Sequence, residues 1–388
     1  VTNKDSILAS LFKFFRWSFL KLWRRQASLR SEIKDGQVNR NLFLDESCER
    51  LQQQFYSLET PKDVAKLLAV PYSLLVYYLY RVPSLLRYKS LYIAKKAGGS
   101  RLILIPATPL KIVQRKLNQV LQCVYKPKPS VHGFVPGKSI VTNAKAHSKK
   151  RYVLNIDLKN FFPSINFGRV RGMFIAVPYD INPAVATILA QICCHDNQLP
   201  QGAPTSPVIA NMICAKMDSQ LQRLAKECRC TYTRYADDLT FSTTLHNFPE
   251  TLAIIEDGGK VVLSQALQSI INGNGFTINE RKVWIQIKGL HQEVTGLTVN
   301  KFPNVDRKYV RQIRAMLHAW EKYGIESAEK EHRLRYASKR RSSAKNLPDL
   351  KQIVHGKIEF LGMVRGKDDA LYQKYLEKYL RLSRSGGI

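Results

Sequence analysis

Tyr235-Ala236-Asp237-Asp238 lies between two short runs of strand-forming residues, Thr231 to Thr233 and Leu239 to Ser242, so adjacent carboxylates are expected at a hairpin tip. Asp in a turn is commonplace, because its side chain tolerates tight backbone and is often merely solvated. Its setting gives it weight. Upstream, Arg151-Tyr152-Val153-Leu154-Asn155-Ile156-Asp157 alternates with period two, which predicts a strand with Tyr152, Leu154 and Ile156 on one face and Asp157 at its end on the other. If the two strands are neighbours, Asp157 and Asp237 meet, with Asp238 beside them. Such carboxylates suit two Mg2+ ions about 3.5–4 Å apart, with Mn2+ as a substitute. The chemistry implied is nucleotidyl transfer.

Between the carboxylate strands stands Leu199-Pro200-Gln201-Gly202-Ala203-Pro204-Thr205-Ser206-Pro207, and beyond the hairpin follow Gly275-Phe276-Thr277-Ile278-Asn279-Glu280-Arg281-Lys282 and Val294-Thr295-Gly296-Leu297. In that order they resemble the reverse transcriptases. Asn143-Ala144-Lys145-Ala146-His147 and Val294-Thr295-Gly296 resemble the elements that mark the retron branch, near Val131-His132-Gly133-Phe134-Val135-Pro136-Gly137-Lys138-Ser139-Ile140. The resemblance runs from Thr60 to Gly366. It implies an α+β right hand, with an antiparallel palm sheet, helical fingers and a helical thumb.

The resemblance also assigns roles. Asp157, Asp237 and Asp238 become catalytic and metal-holding, and Lys282 the acid that protonates departing pyrophosphate. Phe162, in Lys159-Asn160-Phe161-Phe162-Pro163-Ser164-Ile165, stands at the sugar-gate position, where a bulky ring rejects a 2′-hydroxyl by shape; one of Phe161 and Phe162 is expected to be buried. Lys95, Lys96 and Arg101 match the fingers motif that faces a triphosphate, Arg101 best because its planar fork binds two phosphate oxygens. Gln201 orients template or sugar, and Gly202, lacking a Cβ, lets backbone approach the nucleotide. Retron enzymes copy their own structured non-coding RNA from the 2′-hydroxyl of a branching guanosine, stay bound to the RNA-DNA product, and with it guard a separate effector protein in anti-phage defence. Asn143 and His147 are accordingly expected at the RNA, unless they merely satisfy each other's hydrogen bonds within the fold.

Lys and Arg total 61 against 30 Asp and Glu, a formal charge of +31, so polyanions are the natural partners. Seven cysteines without a Cys-x-x-Cys argue against a zinc site or a secreted disulfide framework; reduced, buried thiols are expected. Ile7 to Arg25 reads as a basic amphipathic helix, interrupted by Lys13, Arg16 and Lys21 and so unable to span a membrane in the ordinary way. No clean signal-peptide cleavage site is seen, and a bacterial cytoplasmic location is expected.

Three regions are expected: an N-terminal extension over 1–60, fingers and palm over 61–300, and a basic helical thumb and tail over 301–388. Ser31 to Asn41 reads as a linker, Ser90 to Ile105 as a hairpin turning at Gly98-Gly99, Leu110 to Val124 and Ser206 to Leu224 as helices, and Val261 to Asn272 as another. Lys282 is expected after a short strand. In the thumb, Val310, Ile313, Leu317 and Trp320 form a helical stripe beside Arg307, Lys308, Arg311 and Arg314, so Arg311 and Arg314 are free to track RNA phosphates. Lys339-Arg340-Arg341 adds a second basic cluster. The alternatives are a group II intron or diversity-generating reverse transcriptase, and an RNA-binding scaffold restraining an effector. No maturase or endonuclease region is visible for the first. Ser206-Pro207 stands where the second usually has Ser-Gln, and an intact carboxylate set disfavours the scaffold.

Overall fold

The computed structural model describes residues 42–94, 98–256, 259–337 and 348–385. Ile7 to Arg25, the expected linker, Lys95, Lys96 and Lys339-Arg340-Arg341 lie outside the described residues. The architecture is mixed α+β with antiparallel sheets. Helices α1 (Cys48–Tyr56), α2 (Pro61–Leu67), α3 (Tyr72–Val76) and α4 (Ser84–Arg87) precede strands β1 (Tyr88–Ala94) and β2 (Ser100–Pro106) and helix α5 (Thr108–Val124). Then come α6 (Ile140–Ala146), β3 (Tyr152–Lys159), α7 (Phe167–Ile175), α8 (Pro183–Cys193) and α9 (Ser206–Glu227). Strands β4 (Thr231–Tyr235), β5 (Asp238–Thr243), β6 (Ala253–Ile255) and β7 (Val261–Leu263) lead to α10 (Gln265–Gly273) and β8 (Thr277–Ile287). The chain ends with β9 (Glu293–Val294), β10 (Leu297–Thr298), α11 (Arg307–Ala337), α12 (Leu350–Arg365) and α13 (Ala370–Ser385). Among the described residues, no helix is long and apolar enough to cross a membrane.

The chain forms two compact units, each of two segments: the part up to Lys126 with Asn166–Ile209, and Pro127–Ile165 with everything from Ala210. In the first unit, β1 and β2 make the expected hairpin, Ala94 opposite Ser100. Leu104 of β2 packs with Tyr88, Leu110 and Ala203. Helix α5 buries Leu117, Val120 and Leu121, the stripe its spacing requires. Its Cys123 is joined to Cys48 of α1 by a disulfide, which corrects the expectation of reduced thiols throughout. The partners are 75 residues apart, and no local spacing announces a pairing made by helix packing. Cys193, Cys194 and Cys214 are buried and take part in no disulfide.

In the second unit, a four-stranded antiparallel sheet has the order β4-β5-β3-β8. Leu154 and Ile156 of β3, with Leu239 and Phe241 of β5, are buried on one face. The other face of β3, carrying Val153, Asn155 and Asp157, is buried too. A central strand covered on both sides need not show an exposed face, so here alternation marks two different interiors. Val153 belongs to a core that runs through Ala144, Val294 and Leu297 into Ile313, Leu317 and Trp320 of α11 and Val354 and Leu361 of α12. The stripe read from α11 is therefore its buried side, while Arg307, Lys308, Arg311 and Arg314 are exposed. The helix expected from Val261 starts only at Gln265: Val261–Leu263 instead pairs with Ala253–Ile255, and Ser264 caps α10 by accepting from Leu267 N.

Candidate active site

Register builds the site. Pairing of β3 with β5 sets Asp157 directly opposite Asp238, and cross-strand partners project on one face. Ala236 and Asp237 alone connect β4 to β5, with Ala236 in the left-handed region at φ 57°. The Asp237 carbonyl accepts from Leu158 N at 3.0 Å, tying the turn to the end of β3. The three candidate carboxylates thus share one end of the sheet.

β8 forms the other wall. Its pairing with β3 shifts between Ile156 and Leu158, and the residues displaced by that irregularity reach Asp157. Asn279 Nδ2 donates to Oδ1 at 2.8 Å and Lys282 Nζ to Oδ2 at 2.7 Å. Local register breaks commonly re-aim side chains in this way. Lys282 lies inside a long strand, not after a short one, which corrects the sequence expectation.

Burial, then the neighbouring charges of Asp237 and Asp157, push the Asp238 carboxyl up to about 7, with Lys282 acting in the opposite direction. The hydrogen bond to Asp157 holds the Lys282 ammonium above its ordinary range. An all-oxygen set under mutual repulsion has the chemistry that a divalent cation relieves, so these donors fit Mg2+ or Mn2+. Among the described residues, no group of three or more His, Cys, Asp or Glu side chains is closed around a metal position; Asp157 is turned toward Asn279 and Lys282.

Phe161 is buried and stacks on Phe276 at 5.6 Å, while Phe162 is half-buried, 5.3 Å from Phe161 and 6.1 Å from Phe134. Phe134 had drawn no attention of its own in the sequence. It is 39% exposed, left-handed at φ 60°, and also lies 6.5 Å from the Tyr235 ring. In the first unit, Arg101 is exposed on β2 and Gln201 is half-buried, its carbonyl accepting from Leu104 N at 2.8 Å. At Gly202 (φ 128°) a Cβ would lie 2.8 Å from the Leu104 carbonyl oxygen. The close approach requiring glycine in this unit is therefore to β2.

Asn143 and His147, expected at the RNA, are both buried. They do not satisfy each other. His147 bridges Ser242 Oγ of β5 and Thr233 Oγ1 of β4, each at 2.7 Å. Burial lowers its pKa to about 3. Asn143 Nδ2 donates to Thr295 Oγ1 at 3.5 Å, so the two marker elements meet each other. The sequence reading also missed Asn279, Arg234, Asp218 and Asn211. Each is an ordinary polar residue by type; only the i, i+7 spacing of Asn211 and Asp218 on one helix face gave a signal.

Residues 93–363 match the family described as reverse transcriptase (RNA-dependent DNA polymerase), so the class is that of an RNA-directed DNA polymerase. The retron Mx65 reverse transcriptase of Myxococcus xanthus is 35% identical over 306 residues, covering 72% of this chain and 68% of that protein. The retron Mx162 enzyme of the same organism is 36% identical, covering 67% and 59%. The retron Ec86 enzyme of Escherichia coli is 36% identical, covering 60% and 69%. The chain belongs to the retron reverse transcriptases. Among solved structures, telomerase of Candida albicans with a fragment of telomeric RNA covers 77% of this chain and 63% of its own at a TM-score of 0.41 and 10% identity, too loose to argue from.

Proposed function

We propose that this enzyme makes a branched, RNA-linked single-stranded DNA from a cognate structured non-coding RNA, starting at the 2′-hydroxyl of a guanosine, and that protein and product restrain a separate effector in anti-phage defence. The observation carrying the chemistry is Asp157 opposite Asp238 with Asp237 at the adjoining turn. The retron part rests on the identity to the Myxococcus and Escherichia enzymes.

Asp157, Asp237 and Asp238 would hold two Mg2+ ions, whose charge offsets that on the attacking and leaving oxygens. Lys282 keeps its proton on Nζ at the edge of the cluster, a donor for departing pyrophosphate. Phe162, backed by Phe161 and Phe134, excludes ribonucleotides by shape. Arg101 and Lys96 take the triphosphate of a deoxynucleotide, and Gln201 and Gly202 shape the template-nucleotide loop. Exposed Arg311 and Arg314 hold RNA phosphates. Asn143 and His147 contribute to RNA choice from inside, by fixing the Thr295 loop and the β4–β5 hairpin.

The test is to express the chain with its neighbouring non-coding RNA and sequence the nucleic acid that copurifies. DNA joined to an internal guanosine through a debranching-sensitive 2′ linkage is expected, absent from Asp237→Asn. Freely ended DNA of mixed sequence would overturn the retron reading while leaving the polymerase intact.

A further inference from the structure

A fully buried ion pair stands behind the carboxylate turn. Arg234 and Asp218 side chains are both 0% exposed. Arg234 Nε donates to Asp218 Oδ1 at 2.8 Å and Nη2 to Oδ2 at 2.7 Å, a two-pronged fork that the Tyr232 hydroxyl completes at 2.8 Å. Tyr232 and Arg234 alternate on β4, while Asn211 and Asp218 lie two turns apart on α9, so one strand face meets one helix face. The remaining nitrogen, Nη1, is shared between Asn211 Oδ1 at 3.0 Å and the Ala236 carbonyl at 3.2 Å.

Asn211 links this group to a second support. Its Nδ2 donates to the Gly133 carbonyl at 2.9 Å, and Gly133 lies so near the turn that a Cβ there would come within 2.4 Å of Ala236 N. The Ala236 peptide is thus held at its carbonyl by a guanidinium and crowded at its amide by backbone. Ala236 is a non-glycine residue at positive φ, a conformation that persists where its surroundings impose it. A closed, buried ion pair adds little to stability over apolar side chains of the same volume. Stability therefore does not explain a charge here, whereas the direction of Nη1 does.

We propose that Arg234, seated by Asp218 and Asn211, is a positioning residue: it fixes the Ala236 carbonyl and so the turn that presents Asp237 and Asp238 beside Asp157. This rests on the reading of those carboxylates as metal-holding. Arg234 touches no reacting atom.

The test compares single-nucleotide extension of a supplied primer-template, melting temperature and Mg2+ dependence in the full chain. The paired swap Arg234→Met with Asp218→Leu should melt near the parent yet lose about 100-fold in kcat, with KM for the deoxynucleotide within about threefold and a several-fold higher Mg2+ requirement. Added to Asp237→Asn, it should cost nothing further, because both act on one step. A folded swap with kcat within about threefold of the parent overturns the proposal, as does a kcat loss that tracks melting temperature across the set. If the swap does not fold, Asn211→Ala, which spares the ion pair, and Arg234→Lys, which keeps the charge but cannot fork, decide by the same criteria. Asp237→Asn alone separates the two readings: full activity in it defeats the carboxylate assignment, whereas an inactive Asp237→Asn beside an active brace variant defeats only the positioning role.

Discussion

Two cation-carboxylate pairs flank the Tyr235-Ala236-Asp237-Asp238 turn, each with a closest N–O distance of 2.7 Å. Arg234 and Asp218 are both sealed from water, while Lys282 is 53% exposed against an Asp157 exposed by 9%. Distance is the same; the medium is not. In the interior, either partner left alone would be a desolvated charge, so the pair is fixed for as long as the fold persists. In the Lys282 pair, water and salt reach the ammonium and compete for it, and the partner can be exchanged. The buried pair suits holding backbone still, and the open one suits a site where a carboxylate must change partners.

The largest effect expected is from Asp237→Asn, which removes metal-directed charge. Extension with Mg2+ should fall more than about a thousandfold while RNA affinity, carried by remote phosphate contacts, stays within about threefold. Asp157→Asn should behave alike. Near-normal DNA synthesis by either would sink the assignment.

Asp218→Ala leaves the Arg234 charge buried and unpaired and should cost about 3–5 kcal/mol by denaturant unfolding. Lys282→Met should cost less than about 1 kcal/mol, since the ammonium is half open to water and Asn279 still donates to Asp157, yet lower kcat by roughly 100-fold. Equal stability losses would show that exposure does not separate the two pairs.

Phe162→Ala is expected to raise ribonucleotide incorporation by about 10- to 100-fold in direct competition with deoxynucleotides. Unchanged discrimination with activity retained would move the gate to another side chain.

His147 adds a third position, a buried group bridging β4 and β5 through two hydroxyls. Its folded pKa of about 3 lies below that of an unfolded histidine, so the unfolded chain takes up the proton first. Its contribution is full above roughly pH 6.5 and lost as pH falls toward the folded value, about 2 kcal/mol by pH 5. His147→Asn should flatten the acid limb between pH 6.5 and 5 by that amount; an unaltered acid limb would show that other groups dominate it.

Smallest is the effect expected at α11. Arg311→Gln with Arg314→Gln should weaken RNA binding across sequences and reduce the slope of log K against log salt by about 0.7–0.9 per lost phosphate contact. A selective loss for one RNA would assign these residues to recognition instead.

Most local elements near the turn were legible because hydrophobic period and turn chemistry act over a few residues. The hairpin at Ala236-Asp237, the β1–β2 hairpin and the stripes of α5 and α11 all follow from neighbours in the chain. What failed depended on partners outside the segment itself. Val261–Leu263 is a strand because Ala253–Ile255 is there to pair with it, and Cys48 meets Cys123 because two helices pack.

Residue order was enough to put Asp157 at a strand end and Asp237-Asp238 at a hairpin tip of a strongly basic chain, since alternation and turn chemistry are local; the pairing of those strands came from the fold. Only the tertiary structure decided who serves the aspartates. The shifted register of β8 brings Asn279 and Lys282 to Asp157, and burial turns Asn143 and His147 from surface candidates into internal ties. The meeting of a helix face with a strand face sets Arg234 on the Ala236 carbonyl. A side chain's partners depend on which surfaces pack together and how much water remains between them, and neither quantity is written in the spacing of residues along the chain.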